Sequence, residues 1–175
     1  MYLYAQLEFV FLQNARIASL PLLFIMSNNE RFKGKIEDFD QYTLIIDNKG
    51  IKTNITKRDI ATIASADNVI DVEYISKTYY QAHRGRHPKH IRPPMQDIFL
   101  NEVRKSRSPC ITYLINGVRI KGIVIGFDDY SLLVSFENKQ QLVYKSAVSS
   151  VYPLYQVGEI IKYDGEGDSN EKRWH

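Results

Sequence analysis

The chain has 175 residues, with 23 Lys and Arg against 20 Asp and Glu, four His and one Cys. That length holds one ordinary domain or two small ones, a single thiol excludes a disulfide framework and fits a reducing compartment, and a net charge of +3 is too small to name a partner by itself. No apolar run approaches membrane-spanning length, and the N-terminal MYLYAQLEFVFL has neither a basic start nor a small-residue cleavage site, so a soluble, cytoplasmic protein is expected.

Between Ala5 and Ser19, the apolar residues Leu7, Val10, Phe11, Ala15 and Ala18 recur at helical spacing, and Pro21 stands where such a helix must stop. The stretch LLFIMSNNERFKGKIEDFDQYTLIID follows. It is rich in β-branched and aromatic residues and broken by polar pairs, the pattern of antiparallel strands. Gly34 lies inside a strand, where a missing side chain marks a bend or a close backbone approach. After a loop at Asn48 to Gly50 a last short strand ends near Ile63.

A connector runs from about Ala64 to Met95. Its first part, VIDVEYI, is weakly extended in character, and its second, HRGRHPKHIR, carries Arg84, Arg86, Lys89 and Arg92 with no acid. About 30 residues reach roughly 100 Å when extended, enough for flanking domains to sit side by side. His83, His87 and His90 are close in sequence, yet no Cys or acid lies among them, Pro88 breaks a helical alignment and the neighbouring cations oppose a divalent ion. The stretch reads as extra nucleic-acid contact, not as a metal site.

The series then repeats. A helix starts near Gln96 and Asp97 after Pro93 and Pro94, Pro109 stops it, and CITYLINGVRIKGIVIGFDDYSLLVSF follows. Asn116-Gly117 is the strongest hairpin signal and predicts a type I′ turn; the first copy has Asn28-Asn29 there. The words FDQY at Phe39 and FDDY at Phe127 are 88 residues apart. At that offset Phe11 pairs with Phe99, Arg16 with Arg104, Pro21 with Pro109, Arg31 with Arg119, Lys33 with Lys121, Gly34 with Gly122 and Lys57 with Lys145, all without a gap. The chain is therefore expected to hold two tandem copies, 5–65 and 96–154, joined by the basic linker 66–95 and followed by an acidic tail, 155–175, that includes DGEGDSNE. Each copy is about 55 residues, a helix plus five short strands forming a mostly β, SH3-sized barrel. A core of that size is marginal, so oligomerisation is the expected support.

From Gln96 to Pro153 the helix, Asn-Gly hairpin, strand glycine, FD-aromatic turn and YK-x-A motif (Tyr144, Lys145, Ala147) resemble, in order and spacing, the Hfq family of bacterial Sm-like RNA chaperones. The first copy resembles it more thinly, from about Phe11 to Ile63, with ITKRDI in place of that motif. The resemblance implies Sm-like barrels joined edge to edge, six to a ring, which two barrels per chain would build as a pseudo-hexamer from three chains. Strand chemistry favours closure independently, because pairing the outer strands with a neighbour removes unpaired N–H and C=O groups.

The resemblance also implies site residues. On one face, uridine-rich RNA ends would meet Gln96, Tyr130, Lys145 and Ser146, with Tyr42, Lys57 and Arg58 from the first copy: the ring stacks on a base and the cations meet ribose and phosphate. Ser146 replaces the family's histidine, Asp129 replaces a glutamine, and the first copy has Glu8, Thr56 and Arg58. On the opposite face, adenine-rich RNA would meet Tyr113, Gly117, Val118, Arg119, Ile120, Lys121, Gln141 and Ser150. The first copy keeps Arg31, Lys33 and Thr62 but has Ile25 where Tyr113 stands. At the rim, Asn101, Arg104, Lys105, Arg107 and, from the first copy, Arg16 would help two RNAs anneal. The implied protein is an RNA chaperone that brings small regulatory RNAs to messenger RNAs, with no cofactor, metal or covalent chemistry. Two alternatives stand beside it. One is a ring-forming protein scaffold that has lost RNA affinity, motivated by Ser146, Asp129 and the diverged first copy. The other is a hydrolase using Cys110, which the absence of histidine from both barrels disfavours.

Overall fold

The computed structural model describes residues 7–65, 95–137 and 139–154. Nearly all of the basic connector, with His83, His87 and His90, and the whole acidic tail lie outside the described residues. The first copy comprises α1 (Leu7–Ile17), β1 (Leu22–Met26), β2 (Arg31–Phe39), β3 (Thr43–Asn48), β4 (Ile51–Thr56) and β5 (Ile60–Ser65). The second comprises α2 (Met95–Ser106), β6 (Cys110–Leu114), β7 (Arg119–Phe127), β8 (Ser131–Phe136), β9 (Lys139–Tyr144) and β10 (Val148–Pro153). A single 3₁₀ turn, Lys57–Asp59 or Lys145–Ala147, links the last two strands of each copy.

The buried face of α1 is Leu7, Phe11, Leu12 and Ala15, with Glu8 buried among them, whereas Ala18 is exposed beyond the helix end. Neither proline stops its helix. Ser19 takes a left-handed φ of 49°, its N–H donates to the Arg16 carbonyl and the Leu20 N–H to Ala15, both at 3.0 Å. This closure satisfies the last carbonyls before Pro21 is reached. Arg107, with φ of 50°, ends α2 in the same way ahead of Pro109.

The hairpins also differ from the expected type I′ turn, since Asn116 does not have positive φ. Only Gly117 (φ 86°) and, in the first copy, Asn29 (φ 70°) are left-handed, and each donates its N–H three residues back, to Leu114 and Met26. The loop is one residue longer, a type I turn followed by a left-handed residue.

Gly34 and Gly122 mark the places where one strand changes partner. Residues 31–34 pair with β1 and Lys35 onward with β3; residues 119–122 pair with β6 and Ile123 onward with β8. A Cβ on Gly122 would lie 2.7 Å from the Ser135 carbonyl oxygen, so the crossing strands can approach only at glycine. These bends wrap each five-stranded sheet into an Sm-like barrel.

The two barrels form one continuous ten-stranded sheet in the order β10-β6-β7-β8-β9-β5-β1-β2-β3-β4. The joint is antiparallel, with Thr62 opposite Val143, Ile63 opposite Leu142 and Ala64 opposite Gln141. The Thr62 hydroxyl donates to the Leu142 carbonyl at 2.8 Å, and the Gln140 N–H donates to Ser65 Oγ at 2.9 Å. Apolar packing crosses with the hydrogen bonds: Leu133, Leu142 and Tyr144 join the first core, and Ala61 joins the second. The joint thereby supplies the burial that each small core lacks. At the two ends of the sheet, β4 and β10 each have one strand neighbour.

Candidate nucleic-acid interface

The FD-aromatic turns are built by their aspartates. Asp40 Oδ1 accepts the N–H groups of Tyr42 and Thr43, both at 2.7 Å, and these two bonds hold its carboxyl below the usual carboxylate range. Asp128 Oδ1 does the same for Tyr130 (2.9 Å) and Ser131 (2.6 Å). Each turn pins the backbone and turns its tyrosine outward: Tyr42 is 68% exposed and Tyr130 61%. Rings so far out of the core add little to packing and are available to stack.

The lysine 15 residues on returns to the tyrosine in both copies, its N–H donating to the Tyr42 or Tyr130 carbonyl at 2.8 Å. Their side chains turn inward. Lys145 Nζ lies 3.0 Å from Asp97 Oδ1 and 5.2 Å from the Phe127 ring, and Lys57 Nζ lies 2.9 Å from Glu8 Oε1 and 5.4 Å from the Phe39 ring. Gln96, Ser146 and Arg58 are exposed, and Arg58 stands 3.7 Å from Asp59.

The joint brings together groups that the sequence names singly but does not connect. The buried Tyr144 hydroxyl donates to Glu8 Oε1 at 2.8 Å, and the Glu8 N–H donates to Asp128 Oδ2 at 3.2 Å, so first-copy Glu8 is held by two second-copy residues as well as by Lys57. The signal available in the sequence was a glutamate within the apolar face of α1. Gln41, exposed at the position matching Asp129, is missed by the sequence reading.

At the other end of β7, Tyr113 is half-buried, Arg119, Lys121 and Gly117 are exposed, and Val118, Gln141 and Ser150 are intermediate. Ile120 is in the second core. In the first copy Arg31 and Lys33 are exposed, Ile25 is buried, and Thr62 is buried in the joint. The two hairpin turns are tied together: Asn116 Nδ2 donates to the Met26 carbonyl and Asn29 Nδ2 to the Asn116 carbonyl, both at 3.1 Å. On the helices, Arg104 donates to Asn101 Oδ1 at 3.1 Å, Arg16 pairs with Asp38 at 2.9 Å, and Lys105 and Arg107 are exposed. Among the described residues no cluster of His, Cys, Asp and Glu is arranged to hold a metal ion, and no helix is long and apolar enough to cross a membrane.

The family model described as Hfq protein matches twice, at residues 8–70 and 95–158, together more than half of the chain. The chain belongs to the Hfq family. Relatives named RNA-binding protein Hfq are 53% identical over 66 residues in Desulfitobacterium hafniense (38% of this chain, 80% of the relative). Another from Clostridium perfringens is 54% identical over 59 residues (34% of this chain, 74% of the relative). A crystal structure of the pleiotropic translational regulator Hfq aligns at 27% identity, covering 34% of this chain and 98% of that one, with a TM-score of 0.33. Each Hfq relative matches about one copy's length, and the model's two matched regions coincide with the two barrels.

Proposed function

We propose that this Hfq-family chain is an RNA chaperone in which three copies close into a six-barrel ring. The ring takes uridine-rich single-stranded RNA beside the Tyr42 and Tyr130 turns and adenine-rich RNA at the Tyr113 end of the barrels, and so brings small regulatory RNAs to messenger RNAs in the cytoplasm. The basic connector 66–95 and the Arg104, Lys105 and Arg107 rim add phosphate contacts.

The observation that carries this reading is the β5–β9 joint. Its strands have counterparts 88 residues away in β10 and β4, the two outer strands of the sheet. Transposed by that offset, the register Thr62–Val143, Ile63–Leu142, Ala64–Gln141 becomes Ser150–Ile55, Val151–Asn54, Tyr152–Thr53 between one chain and the next. Beside β4 lies a groove of about 510 Å³ whose lining includes Met26, Phe32, Ile46 and Ile55. The second-copy counterparts of these four, Leu114, Ile120, Val134 and Val143, belong to the cluster that Ala61 of β5 completes. A neighbour's β10 would fill this groove as β5 fills its twin. The relatives' name, RNA-binding protein Hfq, supports the ligand, as do the exposed Tyr42 and Tyr130 rings at one end of the barrels and Tyr113 beside the Arg119 guanidinium at the other.

Titration of labelled oligouridylate and oligoadenylate at two salt concentrations tests the reading. Lys145→Ala weakens oligouridylate far more than oligoadenylate, and both affinities fall steeply with salt. Equal losses on the two ligands contradict separate faces. A ring that binds neither favours the protein-scaffold reading, for which the engagement of Lys57 by Glu8 is the specific support.

A further inference from the structure

We infer that the second repeat carries a stacking track for single-stranded RNA that extends beyond Tyr113 on both sides, with Tyr152 and Phe136 as further base-contacting residues. The inference rests on the RNA-binding reading above.

Five side chains lie across four adjacent strands in the order β10-β6-β7-β8. The Tyr152 and Tyr113 rings meet edge to face with centroids 5.5 Å apart. The Arg119 guanidinium lies 5.7 Å from the Tyr113 centroid, and Lys121 Nζ lies 5.9 Å from the Phe136 centroid. Arg119 and Lys121 are two residues apart on β7 and so project from the same face of the sheet. The result is ring, ring, cation, cation, ring in unbroken succession. Tyr152 is 44% exposed and Phe136 46% exposed, so neither ring is spent on the core.

Aromatic plates interleaved with cations suit a chain whose bases stack while its phosphates carry charge. An ordinary solvated sheet face does not need half-exposed Phe and Tyr. The first repeat gives an internal comparison, because the five matching positions are Ala64, Ile25, Arg31, Lys33 and Asn48. Both cations are kept and all three rings are absent. The first repeat can therefore hold phosphate along this face without stacking, and base contact is confined to the second.

Pairing of β10 with a neighbouring chain would not cover Tyr152. Its counterpart Ala64 sits on β5, which has a strand on each side, and still keeps intermediate exposure because that face points away from the strand neighbours. The track thus survives ring closure and recurs once per chain.

The test is the affinity of the full chain for a labelled 15-nucleotide oligoadenylate, by fluorescence anisotropy, with mass measured in parallel. Tyr152→Ala and Phe136→Ala each weaken binding by about tenfold, within the range for loss of one stacked base, while Tyr152→Phe stays within twofold of wild type. Should Tyr152→Ala change the mass, Phe136→Ala, on an inner strand, decides alone. Binding by Phe136→Ala within twofold of wild type, alongside a clear loss in Tyr113→Ala, overturns the track and leaves the RNA reading standing. Failure of the wild-type chain to bind any oligonucleotide overturns both.

Discussion

The Tyr144 hydroxyl donates a 2.8 Å hydrogen bond to Glu8 across the joint, linking the end of β9 to the first turn of α1 in the other repeat. Burial, followed by the nearby Glu8 carboxylate, raises the phenol well above its ordinary value near 10. A folded-state pKa above the unfolded one means that the unfolded chain loses this proton first. The associated stability is therefore fully present below about pH 10 and is lost as pH rises toward the folded value. Chemical denaturation from pH 8 to 11 should show that decline, and Tyr144→Phe should remove this component. At pH 8 the same variant should be less stable by about 1.5–3 kcal/mol, the usual worth of a hydrogen bond to a charged group.

Gly122→Ala tests the bend that makes the barrel. The added methyl carbon would lie 2.7 Å from the Ser135 carbonyl oxygen and 2.5 Å from Val134 Cγ1. Overpacking of this kind costs about 1–3 kcal/mol, read as a lower urea midpoint. Gly117→Ala differs in cause, since no atom beyond its chain neighbours lies within 4 Å of its would-be Cβ and only the left-handed φ of 86° opposes the change. Its cost should be about 1 kcal/mol.

Most of the architecture was legible because the 88-residue repeat aligned Gly34 with Gly122, Pro21 with Pro109 and the FD-aromatic turn of one barrel with that of the other. Gly34 and Gly122 were readable as bends, since only a bare Cα lets β2 and β7 change partner. The helix ends were not, because a left-handed Ser19 or Arg107 leaves no mark as strong as a nearby proline. Asn-Gly suited two turn types, and only φ at Asn116 distinguishes them. In the candidate site, Tyr42 and Tyr130 could be read from their motif. The Glu8–Tyr144 bond could not, because it joins residues 136 apart on different repeats. Tyr152 and Phe136 carry no sequence signal for a related reason: each is an isolated aromatic in its strand, and only the sheet order sets them beside Tyr113, Arg119 and Lys121.

Cys110 provides a check on the enzyme alternative. Its thiol is fully buried, donates to the Gly122 carbonyl at 3.2 Å, and is raised by burial above its ordinary value. A thiol in that state is a poor nucleophile. Reaction with a disulfide reagent at pH 8 should be slower in the native chain than in urea by at least a hundredfold, and Cys110→Ser should leave oligonucleotide affinity within twofold.

In the proposed ring, the contact between chains would place polar residues where the internal joint is apolar. Asn54 stands at the position of Leu142, and Thr56 at that of Tyr144. The contact between chains should accordingly be the weaker of the two joints, and dilution should release intact single chains before either barrel unfolds. Mass against concentration, followed beside circular dichroism, reads this order of events; loss of β signal in step with mass contradicts it.

Light scattering of the full chain at micromolar concentration tests edge closure most directly. Three copies of the 20.3 kDa chain give a species of about 61 kDa, whose mass stays fixed as concentration rises further. A species that remains at 20.3 kDa, or a mass that grows without limit, contradicts a ring sealed between β10 and β4.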